Sequence, residues 1–139
     1  MTRVDFYQID SEEAPLAFTC RLIEKIYRLG HEVHVHVADE TEARTLDDLL
    51  WTFRKDRFVP HTLKSSGETA PVVIGHDNEA LDHHQVLVNL SGQVPEFFSR
   101  YERVAEVVPL DKVSRTAARK NYRFYQERGY PLNYHQMSQ

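Results

Sequence analysis

Short apolar runs and longer amphipathic segments alternate along this chain of 139 residues. The apolar runs are too short for most helices and are typical of buried strands. Five strands are predicted, at residues 4–9, 32–38, 72–74, 86–90 and 104–108. In the second run Val33, Val35 and Val37 alternate with polar residues, so these three valines are expected on one face of a sheet.

Three segments carry apolar residues at helical spacing. The first helix is expected to begin at Pro15 and to stop at Gly30, because proline favours the first helical turn and glycine the position after the last. A second helix is predicted over residues 41–53. The third is expected to be capped by Asp111 and to run to about Arg128.

The segments between these elements carry weaker signals. Residues 54–71 and 76–85 are rich in polar and turn-forming residues and are predicted to be loops. Residues 95–101 favour a short helix, and residues 130–139 show no periodicity, so these last ten residues are expected to form a flexible tail.

The elements follow one another in the order β-α-β-α-β-β-α-β-α. This order is typical of a mainly parallel sheet with helices on both faces, so the predicted fold is Rossmann-like α/β. No linker or internal repeat divides the chain, and a single domain is expected over residues 1–139. The five glycines lie at least 8 residues apart, so no glycine-rich phosphate loop can be built and no nucleotide cofactor is expected.

Composition excludes several classes of protein. Hydrophobic residues make up 41% and charged residues 27%, as in ordinary globular domains. No apolar run approaches the roughly 20 residues that span a bilayer. The N-terminus lacks the apolar core of a signal peptide, so a cytoplasmic location is expected. The single cysteine excludes a disulfide framework.

The predicted third helix carries a concentration of positive charge within an acidic chain. The net charge of the whole chain is −4, yet residues 112–130 hold six basic residues and one acid. Arg115, Arg119 and Arg123 recur every four residues on one side, with Tyr122 at the edge. The opposite, core-facing side is predicted to comprise Leu110, Val113, Ala117, Asn121, Phe124 and Tyr125.

This basic side can be interpreted in two ways. It is either a solvated helix surface or a binding surface for an acidic peptide, a terminal carboxylate or a phosphate. A solvated surface usually interleaves acids with bases, and none is interleaved here. The pattern therefore favours partner binding.

Other candidate residues give weaker indications. His34 and His36 have the spacing of metal ligands, with His83 or His84 as a third, but they also fit the polar positions of an amphipathic strand, and the latter interpretation is preferred. Cys20 lies on an apolar helical stripe and is predicted to be a buried small hydrophobe rather than a nucleophile. No metal or catalytic site is expected.

A second candidate surface combines a helix end with a proline loop. Trp51, Phe53, Phe58, Val59 and Pro60 either close the core or form an exposed anchor cluster. The sequence leaves these two alternatives open.

Several short motifs, in order from about residue 4 to residue 133, resemble the chi subunit of bacterial DNA polymerase III. They are Val4-Asp5-Phe6-Tyr7, Leu49-Leu50-Trp51, Arg57-Phe58-Val59-Pro60-His61, Ala70-Pro71-Val72, Val107-Val108-Pro109 and Ala118-Arg119 with Tyr122-Arg123, Tyr125 and Gly129. The chain departs from the family in residues 76–85, which hold no basic cluster, and in the tail.

The resemblance implies a non-catalytic accessory subunit that pairs with the psi subunit, which tethers it to the clamp loader. It also implies binding of the acidic, phenylalanine-ended C-terminal tail of single-stranded-DNA-binding protein. The family's tail-binding positions match Val108, Arg115, Arg119, Tyr122 and Arg123, with Arg115 in place of a lysine. Its psi-binding positions match Trp51, Phe58, Val59 and Pro60.

Two other functions are weighed against this one. The basic helix with its tyrosines could bind single-stranded nucleic acid directly, although the acidic remainder of the chain opposes this. A small enzyme with a histidine site would depend on His34 and His36, and only their spacing supports it.

Overall fold

One parallel sheet organises the protein. The computed structural model describes residues 1–56 and 58–137, and over them seven strands join in the order β3-β4-β2-β5-β6-β1-β7, every neighbouring pair parallel. The strands are β1 (Arg3–Ile9), β2 (Val33–His36), β3 (His61–Leu63), β4 (Val72–Gly75), β5 (Val86–Asn89), β6 (Arg103–Val108) and β7 (Leu132–Met137). The predicted mainly parallel α/β fold is confirmed.

The three predicted long helices are present within a residue or two of their predicted bounds. They are α1 (Pro15–Arg28), α2 (Glu40–Thr52) and α3 (Lys112–Glu127). Asp111 caps α3 as predicted, since its carboxylate accepts the Ser114 amide at 2.8 Å. Gly30 follows α1 with a φ of 92°, a conformation that glycine adopts without strain.

The helices cover both faces of the sheet. On the first face, α1 and α2 pack with Val33, Val35 and Val37 in one hydrophobic core, as the alternation predicts. On the second face, α3 packs over alternate residues of β1 and β6, such as Phe6 and Val104, in a second core. Each central strand therefore contributes to two cores, as expected of a parallel sheet covered on both faces.

Two strands differ from the sequence prediction. The short β3 lies inside the predicted loop 54–71, and β7 occupies most of the predicted flexible tail. Strand β7 is an edge strand whose residues are mostly exposed, so it has no apolar face to create a periodic signal. It is held by parallel pairing with β1 and by stacking of Tyr134 on Phe6 at 5.8 Å.

Smaller differences concern a short helix and the limits of the described chain. The helix expected over residues 95–101 is only a 3₁₀ turn, Phe98–Arg100. Arg57 of the proline-loop motif and residues 138–139 of the predicted tail lie outside the described residues. Over the described ranges, none of the helices has the length and apolar character to cross a membrane.

Candidate functional site: the arginine stripe of α3 and the Trp51 surface

The buried side of α3 is rotated from the predicted one. Ala118, Asn121 and Tyr125 are its buried residues, whereas Val113 is 81% exposed. At about 100° per residue, Val113 lies about 140° around the helix from Ala118, on the far side from the sheet. The predicted core positions Leu110 and Val113 are therefore wrong.

The three arginines of α3, called here the arginine stripe, are not equivalent. Arg115 is half-buried and its Nη2 contacts Asp10 Oδ1 at 2.5 Å and the Ile9 carbonyl at 3.2 Å. The helix itself offers no acid beside the stripe, but Arg115 still has an acidic partner, because Asp10 comes from the end of β1, far away in sequence. This ion pair fixes the position of the Arg115 guanidinium.

Arg119 and Arg123 lie further along α3 and are exposed. Arg119 makes one long hydrogen bond, from Nη2 to Thr116 Oγ1 at 3.4 Å. The side chain of Arg123 forms no hydrogen bond or ion pair with any residue in the part of the chain that the structure describes. Both guanidinium groups are available to an anionic partner.

An aromatic cluster flanks the stripe. Tyr122 is half-buried, with its ring 5.5 Å from Phe6 and 6.0 Å from Tyr134. The Tyr134 hydroxyl contacts the Gln8 amide oxygen. Sequence reasoning missed Tyr134, since it lies on the unpredicted strand β7. The cluster provides an aromatic surface, held in place by ring contacts, beside the exposed guanidinium groups.

A small pocket opens between α3 and the ends of β5 and β6. Its volume is about 130 Å³, and Val108, Pro109, Ser91 and Ala118 are among its lining residues. Val108 itself is 3% exposed, so only its pocket-facing surface is accessible. The residues of α3 that line it are Ser114, Ala118 and Asn121, so the pocket lies on the flank of the helix away from Arg119 and Arg123.

A buried carboxyl group forms part of the lining of this pocket. Glu106 accepts the Tyr125 hydroxyl hydrogen at 2.7 Å and the Asn89 amide at 2.9 Å. Burial raises the pKa of Glu106 to about 7 despite these two hydrogen bonds. Sequence reasoning missed this residue, although a single acid within an otherwise apolar strand is a detectable signal.

The Trp51 surface, formed by Trp51, Phe58 and Pro60, lies at the other edge of the sheet, where α2 packs beside β3. Trp51 is 55% exposed and Phe58 54%, and their rings are 5.1 Å apart. Buried His61 supports them, with its ring 4.8 Å from Trp51 and Nδ1 2.6 Å from the Val59 carbonyl. Of the two alternatives left open by the sequence, the exposed cluster is therefore correct for Trp51 and Phe58.

Val59 occupies a different position from its neighbours. It is fully buried in the first core and does not reach the surface. Phe53 is only partly buried and packs against the same core. Val59 can therefore position Phe58 and Pro60, but its own side chain is not available for contact.

The strand histidines are buried rather than solvent-facing, which corrects the preferred sequence interpretation. His34 Nδ1 lies 2.6 Å from the Tyr101 hydroxyl, and the His34 ring stacks on Phe97 at 5.2 Å. Burial lowers the pKa of His34 to about 3, so its ring is neutral. Among residues 1–56 and 58–137, no group of three or more histidine, cysteine, aspartate or glutamate side chains could hold a metal ion.

Cys20 is fully buried on α1 within the first core, as predicted. Burial raises the pKa of its thiol to about 12, so the reactive thiolate does not form near neutral pH.

Comparison with known proteins identifies related sequences along nearly the whole chain. Residues 1–133 match the family model described as DNA polymerase III chi subunit, HolC. A protein named DNA polymerase III subunit chi from Pseudomonas aeruginosa is 44% identical over 139 residues, covering 99% of this chain and 98% of its own. Proteins of the same name from Haemophilus influenzae and Escherichia coli are 29% and 28% identical, covering 82% and 96% of this chain and 81% and 97% of their own.

Proposed function

The chain belongs to the family of DNA polymerase III chi subunits, and we propose that it is a non-catalytic adaptor within the replication machinery. In this proposal the arginine stripe binds the acidic, phenylalanine-ended C-terminal tail of single-stranded-DNA-binding protein. The Trp51 surface binds the psi subunit, through which the chain joins the clamp loader. Family membership supports the accessory role in replication, and the two surfaces support the assignment of its two partners.

The observation that carries the tail proposal is the juxtaposition of free guanidinium groups and the aromatic cluster of Tyr122, Phe6 and Tyr134. Arg119 and Arg123 have no acidic partner in the described chain and can bind carboxylates of the tail, including its terminal one. Tyr122 follows Arg119 by three residues, on the same side of α3, and is half-buried. A terminal phenyl ring can therefore stack on Tyr122 beside these guanidinium groups, whereas Val108 lines the pocket on the other flank of α3.

Arg115 has a supporting role in this arrangement. Its ion pair with Asp10 offsets part of its charge and holds the guanidinium at the end of β1. We expect Arg115 to orient the tail rather than to contribute the largest share of the binding energy.

Peptide binding tests the tail proposal directly. A labelled acidic peptide ending in a free phenylalanine is titrated with the protein by fluorescence anisotropy, beside labelled oligo-dT. Arg119→Ala removes a charge-assisted contact worth about 1.5–3 kcal/mol and should weaken peptide binding by roughly 10- to 150-fold.

Lys120→Ala is the matched control, because Lys120 is an exposed cation on the same helix with no hydrogen bond or ion pair within the described residues. It should change the affinity little. Equal affinities of Arg119→Ala and wild type would refute the tail site. Tight binding to oligo-dT without peptide binding would instead favour direct nucleic-acid binding by α3.

The psi proposal is supported by the exposed aromatic pair of the Trp51 surface. Exposed tryptophan and phenylalanine rings held against a buried histidine have the character of interface anchors. Trp51→Ala should weaken psi binding by at least 2 kcal/mol, or about 30-fold, in calorimetric titration. Binding of the tail peptide serves as the folding control and should not change. Unaltered psi affinity in a folded Trp51→Ala protein would show that psi binds elsewhere.

A further inference from the structure

Another concave site lies on the first face of the sheet, between α1 and the strands β1 and β7. It has a volume of about 190 Å³, and its apolar lining includes Tyr7, Phe18, Leu22 and Ile26. The arginine stripe is on α3 over the opposite face, and the Trp51 surface is at the opposite edge of the sheet. This pocket, called here the α1 pocket, is therefore separate from both surfaces already described.

Exposed apolar side chains stand at the rim of the α1 pocket. Leu29, just after the end of α1, is 65% exposed, and Met137, at the end of β7, is 36% exposed. Both side chains line the pocket. An entrance bordered by exposed apolar side chains is suited to a partner that inserts an apolar group.

The charged groups lining the α1 pocket are all cations: Arg21, Lys25 and Arg103. Arg21 forms an ion pair with Glu13, and Arg103 donates to Asp5 at 2.9 Å. Asp5 is also within 3.5 Å of Arg3, so one carboxylate is shared by two arginines. The side chain of Lys25 is exposed and forms no hydrogen bond or ion pair with a residue of the described ranges. The surroundings of the pocket therefore carry an excess of positive charge.

We propose that the α1 pocket is a second peptide-binding site, which takes one aromatic or aliphatic side chain flanked by acidic residues. The apolar floor receives the side chain, and Lys25 with the partly neutralised arginines attracts the flanking carboxylates. At about 190 Å³ the pocket is below the range of roughly 300–1,000 Å³ typical of small-molecule sites, so a single inserted side chain fits it better than a whole ligand.

The test uses a probe that lacks the free carboxyl terminus proposed for the arginine stripe. A fluorescein-labelled, C-terminally amidated peptide, Asp-Glu-Glu-Phe-Glu-Asp, is titrated with the full chain by fluorescence anisotropy. Lys25→Glu should weaken binding at least tenfold. Lys120→Glu makes the same change of charge on the opposite face and should alter the affinity less than twofold.

A second variant and a second peptide distinguish insertion of a side chain into the pocket from general electrostatic attraction of the peptide. Leu29→Ser removes an exposed apolar rim residue, so it should leave the fold intact while weakening binding severalfold. A peptide with glycine in place of its phenylalanine should bind at least fivefold more weakly. Thermal unfolding of each variant checks that it is folded.

Three results would overturn the proposal. Equal weakening by Lys25→Glu and Lys120→Glu would indicate non-specific attraction, and an effect of Lys120→Glu alone would assign the probe to α3. Equal binding of the glycine peptide would show that no side chain enters the pocket. Binding of the phenylalanine-ended tail is tested separately, by the effect of Arg119→Ala on the tail peptide, so the two proposals can fail independently.

Discussion

At the scale of single residues, Glu106 is a group whose protonation should affect stability near neutral pH. Burial raises its pKa from 4.5 to about 7, so the folded state holds a proton that the unfolded state releases. The stabilisation is therefore complete below about pH 4.5 and is lost as the pH rises through 7. The carboxyl group lies beneath α3, so its ionisation should weaken the packing of the helix that carries the arginine stripe.

Replacing Glu106 by a neutral isostere should remove this dependence. Relative to Glu106→Gln, the wild type is expected to lose about 2–3 kcal/mol of unfolding free energy between pH 5 and pH 8. Urea unfolding of both proteins at the two pH values measures the difference. If the difference in unfolding free energy between wild type and Glu106→Gln is the same at both pH values, Glu106 does not titrate in this range.

At the scale of elements, α2 depends on a reciprocal cap at its first turn. Asp39 Oδ1 accepts the Glu42 amide at 2.8 Å, and Glu42 Oε1 accepts the Ala38 amide at 3.1 Å. Asp39→Ala should lower the unfolding free energy by about 1 kcal/mol, while Asp39→Asn should retain most of the stability. Chemical denaturation measures the unfolding free energies of the two variants and the wild type. Equal losses in the alanine and asparagine variants would mean that the cap hydrogen bond is not responsible.

The sequence predicts elements well where each carries its own apolar pattern. The three helices and five inner strands have such patterns, and caps such as Asp111 fix the helix ends. Strand β3 is three residues long, and exposed β7 depends on pairing with β1, so neither could be found from local periodicity.

The candidate site likewise has features that the sequence predicts and features that only the fold reveals. The spacing of Arg115, Arg119 and Arg123 is local and could be found from the sequence. The contact of Arg115 with Asp10 joins residues distant in sequence, and the stacking of Tyr134 on Phe6 depends on the unpredicted β7. Such contacts become visible only when the sheet order is known.

At the scale of the whole molecule, one sheet separates the surfaces that we assign to the two partners. The arginine stripe is on α3 over the second face near β1, and the Trp51 surface is beside β3 at the far edge. The central strands contribute to both cores, which supports the proposal of one domain for the chain. Surfaces this far apart in the fold would allow both proposed partners to bind at once, as the adaptor proposal requires.

Simultaneous binding is the most direct test of the adaptor proposal. The labelled phenylalanine-ended peptide is titrated by anisotropy with the free chain and with the chain saturated by the psi subunit. We predict dissociation constants within twofold of each other, with Arg119→Ala weakening both equally. Displacement of the peptide by psi, or loss of peptide binding in the psi-saturated chain, would contradict the proposal of two separate surfaces.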